Sequence, residues 1–195
     1  MKFGIVSDIH NNADALEEAF RLMGDVDEVL CLGDSVSQTR FSNDVIRLLR
    51  ERGARTVLGN HDVDYLKRLA EPQVGAGKVD GDLVAWLAGQ PETLELDVAG
   101  KRLLMTHATP WSRDYIYPGT KAMARFAEVE ADFVLGGHTH TPFSGRIGRP
   151  LVINPGSTGH SRFIDGELRL SCIVLDAVTD EVRLIEFPDQ PNGFR

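Results

Sequence analysis

The sequence predicts an α/β fold, specifically a four-layer αββα sandwich of two mixed β-sheets flanked by helices. Three observations carry this prediction. The first third of the chain alternates short apolar runs with helix-period segments, the pattern of parallel crossovers. The middle holds a hairpin, and the last third is a series of short strands and turns. Crossovers followed by hairpins fit two packed sheets with helices outside.

The elements follow in order. Lys2 to Ser7 reads as a buried strand, and Asn12 then caps a helix over Ala13 to Met23 that stops at Gly24. Glu28 to Leu32 repeats the strand pattern and ends at Gly33-Asp34. A helix from about Ser42 to Arg52 leads through Gly53 to a third strand, Arg55 to Leu58, which ends at Gly59-Asn60-His61-Asp62. Helices are expected from Asp62 to Ala70 and Gly81 to Ala88, then a hairpin of Thr93 to Val98 and Lys101 to Met105 around Ala99-Gly100. Lys121 to Glu130 reads as helix and Asp132 to Leu135 as a short strand before Gly136-Gly137-His138-Thr139-His140. Strands at Phe143 to Ile147, Leu151 to Ile153, Leu168 to Leu175 and Val182 to Phe187 complete the pattern.

Length and composition bound the function. A chain of 195 residues suits one core, so residues 1–195 are expected to form a single domain. A net charge of -8 argues against extended nucleic-acid binding and against an anionic membrane surface, both of which attract basic faces. The chain has no run of 18 apolar residues and too short an apolar start for a signal peptide, which predicts a cytoplasmic protein without membrane attachment. Cys31 and Cys172 both sit in apolar runs, so buried thiols are expected rather than a disulfide.

Five motifs place chemistry after successive strand-like runs: Asp8-Ile9-His10, Gly33-Asp34, Gly59-Asn60-His61-Asp62, His107 and Gly136-Gly137-His138-Thr139-His140. A lone Gly-Asp is ordinarily a turn, and Gly-Asn-His-Asp taken alone has even odds of being one. All five in order are far more specific. Imidazole and carboxylate ligands together suit Mn, Fe, Zn, Co or Ni, and a loop bend lets Asp-x-His or His-x-His bring both side chains to one ion.

This set resembles the calcineurin-like metallophosphoesterases, whose pattern is Asp-x-His, Gly-Asp, Gly-Asn-His-Asp or -Glu, His, and Gly-His-x-His. The resemblance spans about residues 3 to 157, and Asn154-Pro155-Gly156-Ser157 is similar to a further element of the small bacterial and archaeal phosphodiesterase branch. It implies two divalent transition-metal ions, manganese first, with Fe, Zn, Co and Ni as alternatives. Asp8, His10 and His140 would hold one ion, Asn60, His107 and His138 the other, with Asp34 between them. The implied activity is hydrolysis of a small phosphodiester by a metal-bridging hydroxide, with His61 as general acid and Asp62 supporting it. The implied partner is a small phosphate ester, nucleotides included, and a homo-oligomer is compatible with the reading. The alternatives are a phosphomonoesterase, a dinucleoside polyphosphate hydrolase, or a protein-interaction scaffold on the same fold. The protein serine/threonine phosphatase branch is disfavoured, because Gly33-Asp34 continues as Ser35-Val36-Ser37 instead of Asp-Arg-Gly.

Other residues carry weaker expectations. Asn11 is a candidate phosphate contact, as is Arg113 in the aromatic segment Pro110 to Pro118. Asn12 reads equally well as a helix cap. His160 reads as a surface histidine and stays outside the ligand set.

Overall fold

The structure, a computed structural model, describes residues 1–69 and 79–189. Its first sheet contains β1 (Lys2–Val6), β2 (Glu28–Cys31), β3 (Arg55–Thr56), β9 (Arg162–Ile164), β10 (Glu167–Asp176) and β11 (Glu181–Pro188). The strand order is β11-β10-β1-β2-β3, with β9 paired to β10. The second sheet contains β4 (Thr93–Val98), β5 (Lys101–Thr106), β6 (Phe133–Leu135), β7 (Phe143–Arg146) and β8 (Leu151–Asn154), ordered β4-β5-β6-β8-β7. Both sheets are mixed: β1, β2 and β3 run parallel, as do β5, β6 and β8, and antiparallel strands flank each set.

Alternation along the strands builds the layers. Phe3 and Ile5 of β1 and Leu30 of β2 join Leu103, Met105, Phe133, Leu135 and Ile153 in the core between the sheets. Val6, Val29 and Cys31 point the other way, onto α1 (Ala13–Met23) and α2 (Asn43–Glu51) through Leu16, Phe20, Met23, Ile46 and Leu49. Such side chains, wholly withdrawn from water, each contribute roughly 1.5–3 kcal/mol. A third cluster seats Met123 and Phe126 on Val134 and Val152, covering the outer face of the second sheet. This is the predicted four-layer sandwich. Both cysteines are free and buried.

Four local differences have physical causes. The third strand pairs only over Arg55–Thr56, because Leu58 has left the sheet to bond the Pro91 carbonyl. The helix α3 (Asn60–Arg68) begins two residues before the expected Asp62, since the Asp62 carboxylate accepts the Gly59 N–H at 2.9 Å and closes the first turn. Ala70, its expected end, lies outside the described residues, and α4 (Gly81–Ala88) follows as predicted. The expected helix from Lys121 is a 3₁₀ helix over Lys121–Glu128, and β9 has too little alternation to be visible in sequence.

Candidate metal centre

Every motif lies just past the carboxyl end of a strand, and the facing sheets bring those ends together. Asp8 follows β1, Asp34 follows β2 and Asn60 follows β3, while His107 follows β5 and His138 and His140 follow β6. The loops are bound to one another by backbone bonds. Asp8 N–H donates to the Gly33 carbonyl at 3.0 Å, and His10 N–H to that of Asp34 at 3.0 Å. Asp8, His10, Asn11, Asp34, His138 and His140 all have positive φ, between 46° and 67°. Non-glycine residues there carry backbone strain, which gathers at functional sites. The bends aim alternate side chains inward. Gly137 has no space for a Cβ, which would strike Ser7 and the Asp8 carboxylate.

The two carboxylates divide their oxygens between structure and centre. Asp8 Oδ2 accepts Ser7 Oγ–H at 2.7 Å and His138 N–H at 3.0 Å, leaving Oδ1 inward. Asp34 Oδ1 accepts His61 N–H at 2.8 Å, leaving Oδ2 at 3.3 Å from His107 Nε2.

Two donor groups result. In the first, Asp8 Oδ1, His10 Nε2 and His140 Nε2 stand 3.1 to 3.9 Å apart. In the second, His107 Nε2 lies 3.1 Å from Asn60 Oδ1, and donor atoms of Asp34, His107 and His138 fall within 4.8 Å of one another. Ligands about 2.1 Å from one ion at right angles stand about 3 Å apart. The closest pair in each group, at 3.1 Å, has that spacing, and the wider pairs would close on a bound cation. Asp34 also groups with His10 and His61, so its side chain reaches both sides.

The electrostatics fit a divalent cation. Asp8 and Asp34 are 0% and 1% exposed, and Asp8 Oδ1 and His138 Nε2 are buried without a hydrogen-bond partner. Such orphaned atoms are costly unless something else binds them. Burial pushes the Asp8 carboxyl up, but contact with His140 and the charge of His107 outweigh it and hold the carboxyl well below its usual range. Asp34 is likewise held low against burial by His107. Burial and neighbouring His160 push His10 down to about 3, and burial with His107 lowers His138, so both offer neutral imidazole lone pairs. Burial disfavours the His107 cation, yet Asp34 and Asp8 raise it to about 9. A bound cation would replace the proton that His107 shares with Asp34. With Nδ1 2.7 Å from the Leu32 carbonyl, His107 is oriented to present Nε2. The residues present therefore fit two cations sharing Asp34.

The remaining predicted residues divide. His61 presents its ring to the centre, with Nε2 3.9 Å from Asp34 Oδ2, and its Nδ1 accepts Gln38 N–H at 3.3 Å. Asp62 does not use its carboxylate on the His61 ring as expected: Oδ1 accepts Val36 N–H at 3.0 Å and Oδ2 accepts Gly59 N–H. It clamps the loop after β2 to the start of α3. Burial, with Asp34 nearby, pushes its carboxyl up to about 7. Asn11 donates to Ser37 Oγ at 2.7 Å, while Asn12 caps α1 by accepting Ala15 N–H at 3.1 Å. The Arg113 side chain pairs with Glu92 at 2.8 Å. From the same segment Tyr115, 59% exposed, stacks on His138 with ring centres 3.9 Å apart.

Sequence reasoning left three contributors outside the site. The His160 ring stacks on His10 at 4.0 Å, although the residue is exposed as expected. Ser157 donates to the Asp8 carbonyl at 2.7 Å, and Ser7 holds the Asp8 carboxylate. The Asn154 to Ser157 motif was the available signal for Ser157; Ser7 carried none.

A two-sheet α/β sandwich with paired Asp/His donor groups at its strand ends defines a metallophosphoesterase-type fold and site. The chain belongs to the calcineurin-like phosphoesterase superfamily, whose domain model matches residues 1–180. It is 25% identical over 213 aligned positions to uncharacterized protein MJ0912 of Methanocaldococcus jannaschii, covering 93% of this chain and 85% of that one. It is 29% identical over 159 positions to the symmetrical bis(5'-nucleosyl)-tetraphosphatase of Actinobacillus pleuropneumoniae, covering 71% of this chain and 58% of that protein's length. A metallophosphoesterase structure from Sphaerobacter thermophilus shares the fold, with a TM-score of 0.79, 24% identity and coverage of 97% of this chain and 90% of that one. No helix among the described residues is long and apolar enough to cross a membrane.

Proposed function

We propose that residues 1–195 form one domain that hydrolyses small phosphodiesters with two divalent transition-metal ions, manganese being the first candidate. The observation that carries this reading is the pair of donor groups meeting at Asp34. Asp8, His10 and His140 would hold one ion and Asn60, His107 and His138 the other, with Asp34 shared. Bound there, the ions would supply Lewis acidity and lower the pKa of an attacking water.

The chain's own residues do the rest. Asp8 and Asp34 are fixed by bonds to their outer oxygens, so their inner oxygens need no reorganisation. His61 Nε2 faces the centre and is placed to protonate the departing oxygen. As an imidazolium it would also carry a proton on Nδ1, so the long Gln38 contact must open first. Tyr115 offers an exposed ring beside His138 on which a nucleobase could stack. The resemblance to a symmetrical bis(5'-nucleosyl)-tetraphosphatase favours a second reading, hydrolysis of a dinucleoside polyphosphate at the same centre.

The test compares metal-loaded protein on bis-p-nitrophenyl phosphate, p-nitrophenyl phosphate and a dinucleoside tetraphosphate. The diester is expected to outrun the monoester. Silence towards all three would return the scaffold reading. If His61 is the acid, His61→Ala keeps its metals and loses about 10²- to 10⁴-fold on an alkyl ester, and far less on the aryl ester, whose leaving group needs little proton. Equal losses would make it a charge-stabilising residue instead.

A further inference from the structure

A polar cleft opens beside His10 and His140, and neither His138 nor Tyr115 lines it. Its volume is about 540 Å³, and its lining includes Asn11, Ser37, Thr39, Arg40, His160 and Asp189. That volume lies within the range of small-molecule sites, and apart from His10 and His140 the proposed reaction uses none of its lining.

Arg40 is the notable member. Arginines 21, 47, 55, 102, 113, 146, 149, 162 and 169 each have an acidic partner. Arg40, exposed, has no side-chain partner among the described residues; Arg50 and Arg68 share that state, but of the three only Arg40 lines the cleft beside the metal centre. Its backbone is not loose. Ser37 N–H donates to the Arg40 carbonyl at 3.1 Å, and Arg40 N–H returns the bond at 3.2 Å. The turn is tied to the site twice, by Asn11 to Ser37 Oγ at 2.7 Å and by Gln38 N–H to His61.

His160 is equally built in. Thr158 N–H and Gly159 N–H donate to the Ser7 and Asp8 carbonyls at 2.9 and 3.0 Å, and His160 N–H donates to Ser157 Oγ at 2.7 Å. Gly159 approaches so closely that a Cβ would collide with the Ile9 carbonyl, so the loop lies flat on the Asp8 bend. This seats the His160 ring on His10 and 5.5 Å from His140, at the mouth of the cleft.

A phosphate oxyanion is the ligand chemistry that an unpaired guanidinium and an imidazole N–H at one opening would take. We propose that this cleft is a second phosphate subsite. Arg40 and His160 hold the next phosphate of a substrate whose scissile phosphate lies among Asp8, His10, Asp34 and His140. The substrate class is then an ester carrying a linear polyphosphate chain. Its use rests on the hydrolase reading, and it selects among the esters and anhydrides which that reading admits. Asp189, the one carboxylate among the described residues that line the cleft, disfavours a fully charged chain at its own position and so marks an end of the subsite.

The experiment titrates the whole chain calorimetrically with orthophosphate and with inorganic tripolyphosphate, Mg²⁺ being kept in excess of both anions. Wild-type protein is expected to bind tripolyphosphate at least about 10-fold more tightly than orthophosphate, and Arg40→Gln to lose about 10-fold for tripolyphosphate only. His160→Asn should weaken the same anion, with its metal content measured on the same sample because His160 touches His10. Arg50→Gln, at an exposed position of α2, is the control for general charge and should change neither affinity. Equal loss of both anions in Arg40→Gln, no loss, or an equal loss in Arg50→Gln would overturn the subsite. The ester assays decide the hydrolase reading separately, since anion binding needs no turnover.

Discussion

The backbone N–H of His61 donates to Oδ1 of Asp34 at 2.8 Å, so the first turn of α3 is bonded to the carboxylate that groups with His107 and His138 on one side and with His10 and His61 on the other. Orienting Asp34 and presenting the His61 ring are thus one local arrangement. Its rigidity depends on Asp62, one residue further on.

Asp62 accepts two backbone N–H groups from two separate loops, in full burial. Asp62→Ala leaves both donors unsatisfied, at roughly 1–3 kcal/mol each. The expected destabilisation is therefore roughly 2–6 kcal/mol, with weaker metal retention because the Asp34 and Asn60 loops are no longer clamped. Urea unfolding with metal analysis measures both. A change below about 0.5 kcal/mol, the size of an ordinary surface substitution, would remove the clamp from the account.

Within the loop after His107, the aromatic ring is expected to matter more than the arginine. Tyr115 stacks on His138, whereas Arg113 is engaged with Glu92. Tyr115→Ala should raise KM for a nucleotide ester several-fold and change that for bis-p-nitrophenyl phosphate little, since only the larger substrate reaches remote contacts. Arg113→Ala should fall well short of it. A larger effect from Arg113 would mean that its pair with Glu92 opens when substrate binds.

The buried thiols predict an alkaline limit. Burial pushes Cys31 and Cys172 up to about 12 in the native state. An unfolded thiol loses its proton near about 8.5, so above that pH the unfolded state binds fewer protons than the native one. Each thiol's contribution is fully present below about 8.5 and is lost as pH rises towards about 12, at up to about 1.4 kcal/mol per pH unit. Cys31→Ala should start less stable at neutral pH but decline less steeply between about 9 and 11. An unchanged alkaline slope would show that Cys31 ionises without unfolding.

The sequence pattern made the layers legible because β1, β2 and β3 each end in a glycine- or aspartate-bearing bend after an apolar run. The same spacing brought Asp8, His10, Asp34, Asn60, His107, His138 and His140 forward as a set, and the fold collects them. What stayed hidden depends on contacts across the chain. Asp62 reads as the neighbour of His61, yet its partners are Val36, 26 residues away, and Gly59. His160 reads as a surface residue because only the fold lays Gly159 on Ile9. Arg113 and Tyr115 were inseparable in sequence, since Glu92, the partner that takes the arginine, lies 21 residues earlier. The positive φ values at Asp8, His10 and Asp34 belong to residue types without glycine's freedom, so no local signal announced them.

The central claim is that Asp34 serves two cations at once, and native mass spectrometry of Mn²⁺-titrated protein tests it most directly. Wild-type chain should take up two ions. Asp34→Asn removes the shared charge while keeping the side chain's size, and should weaken both ions, so that the two-ion species disappears at concentrations that saturate wild type. Asp8→Asn, which alters one donor group, should leave a one-ion species at those concentrations. Asp34→Asn protein that still holds two tightly bound ions would contradict the shared role of Asp34 and, with it, the two-metal account.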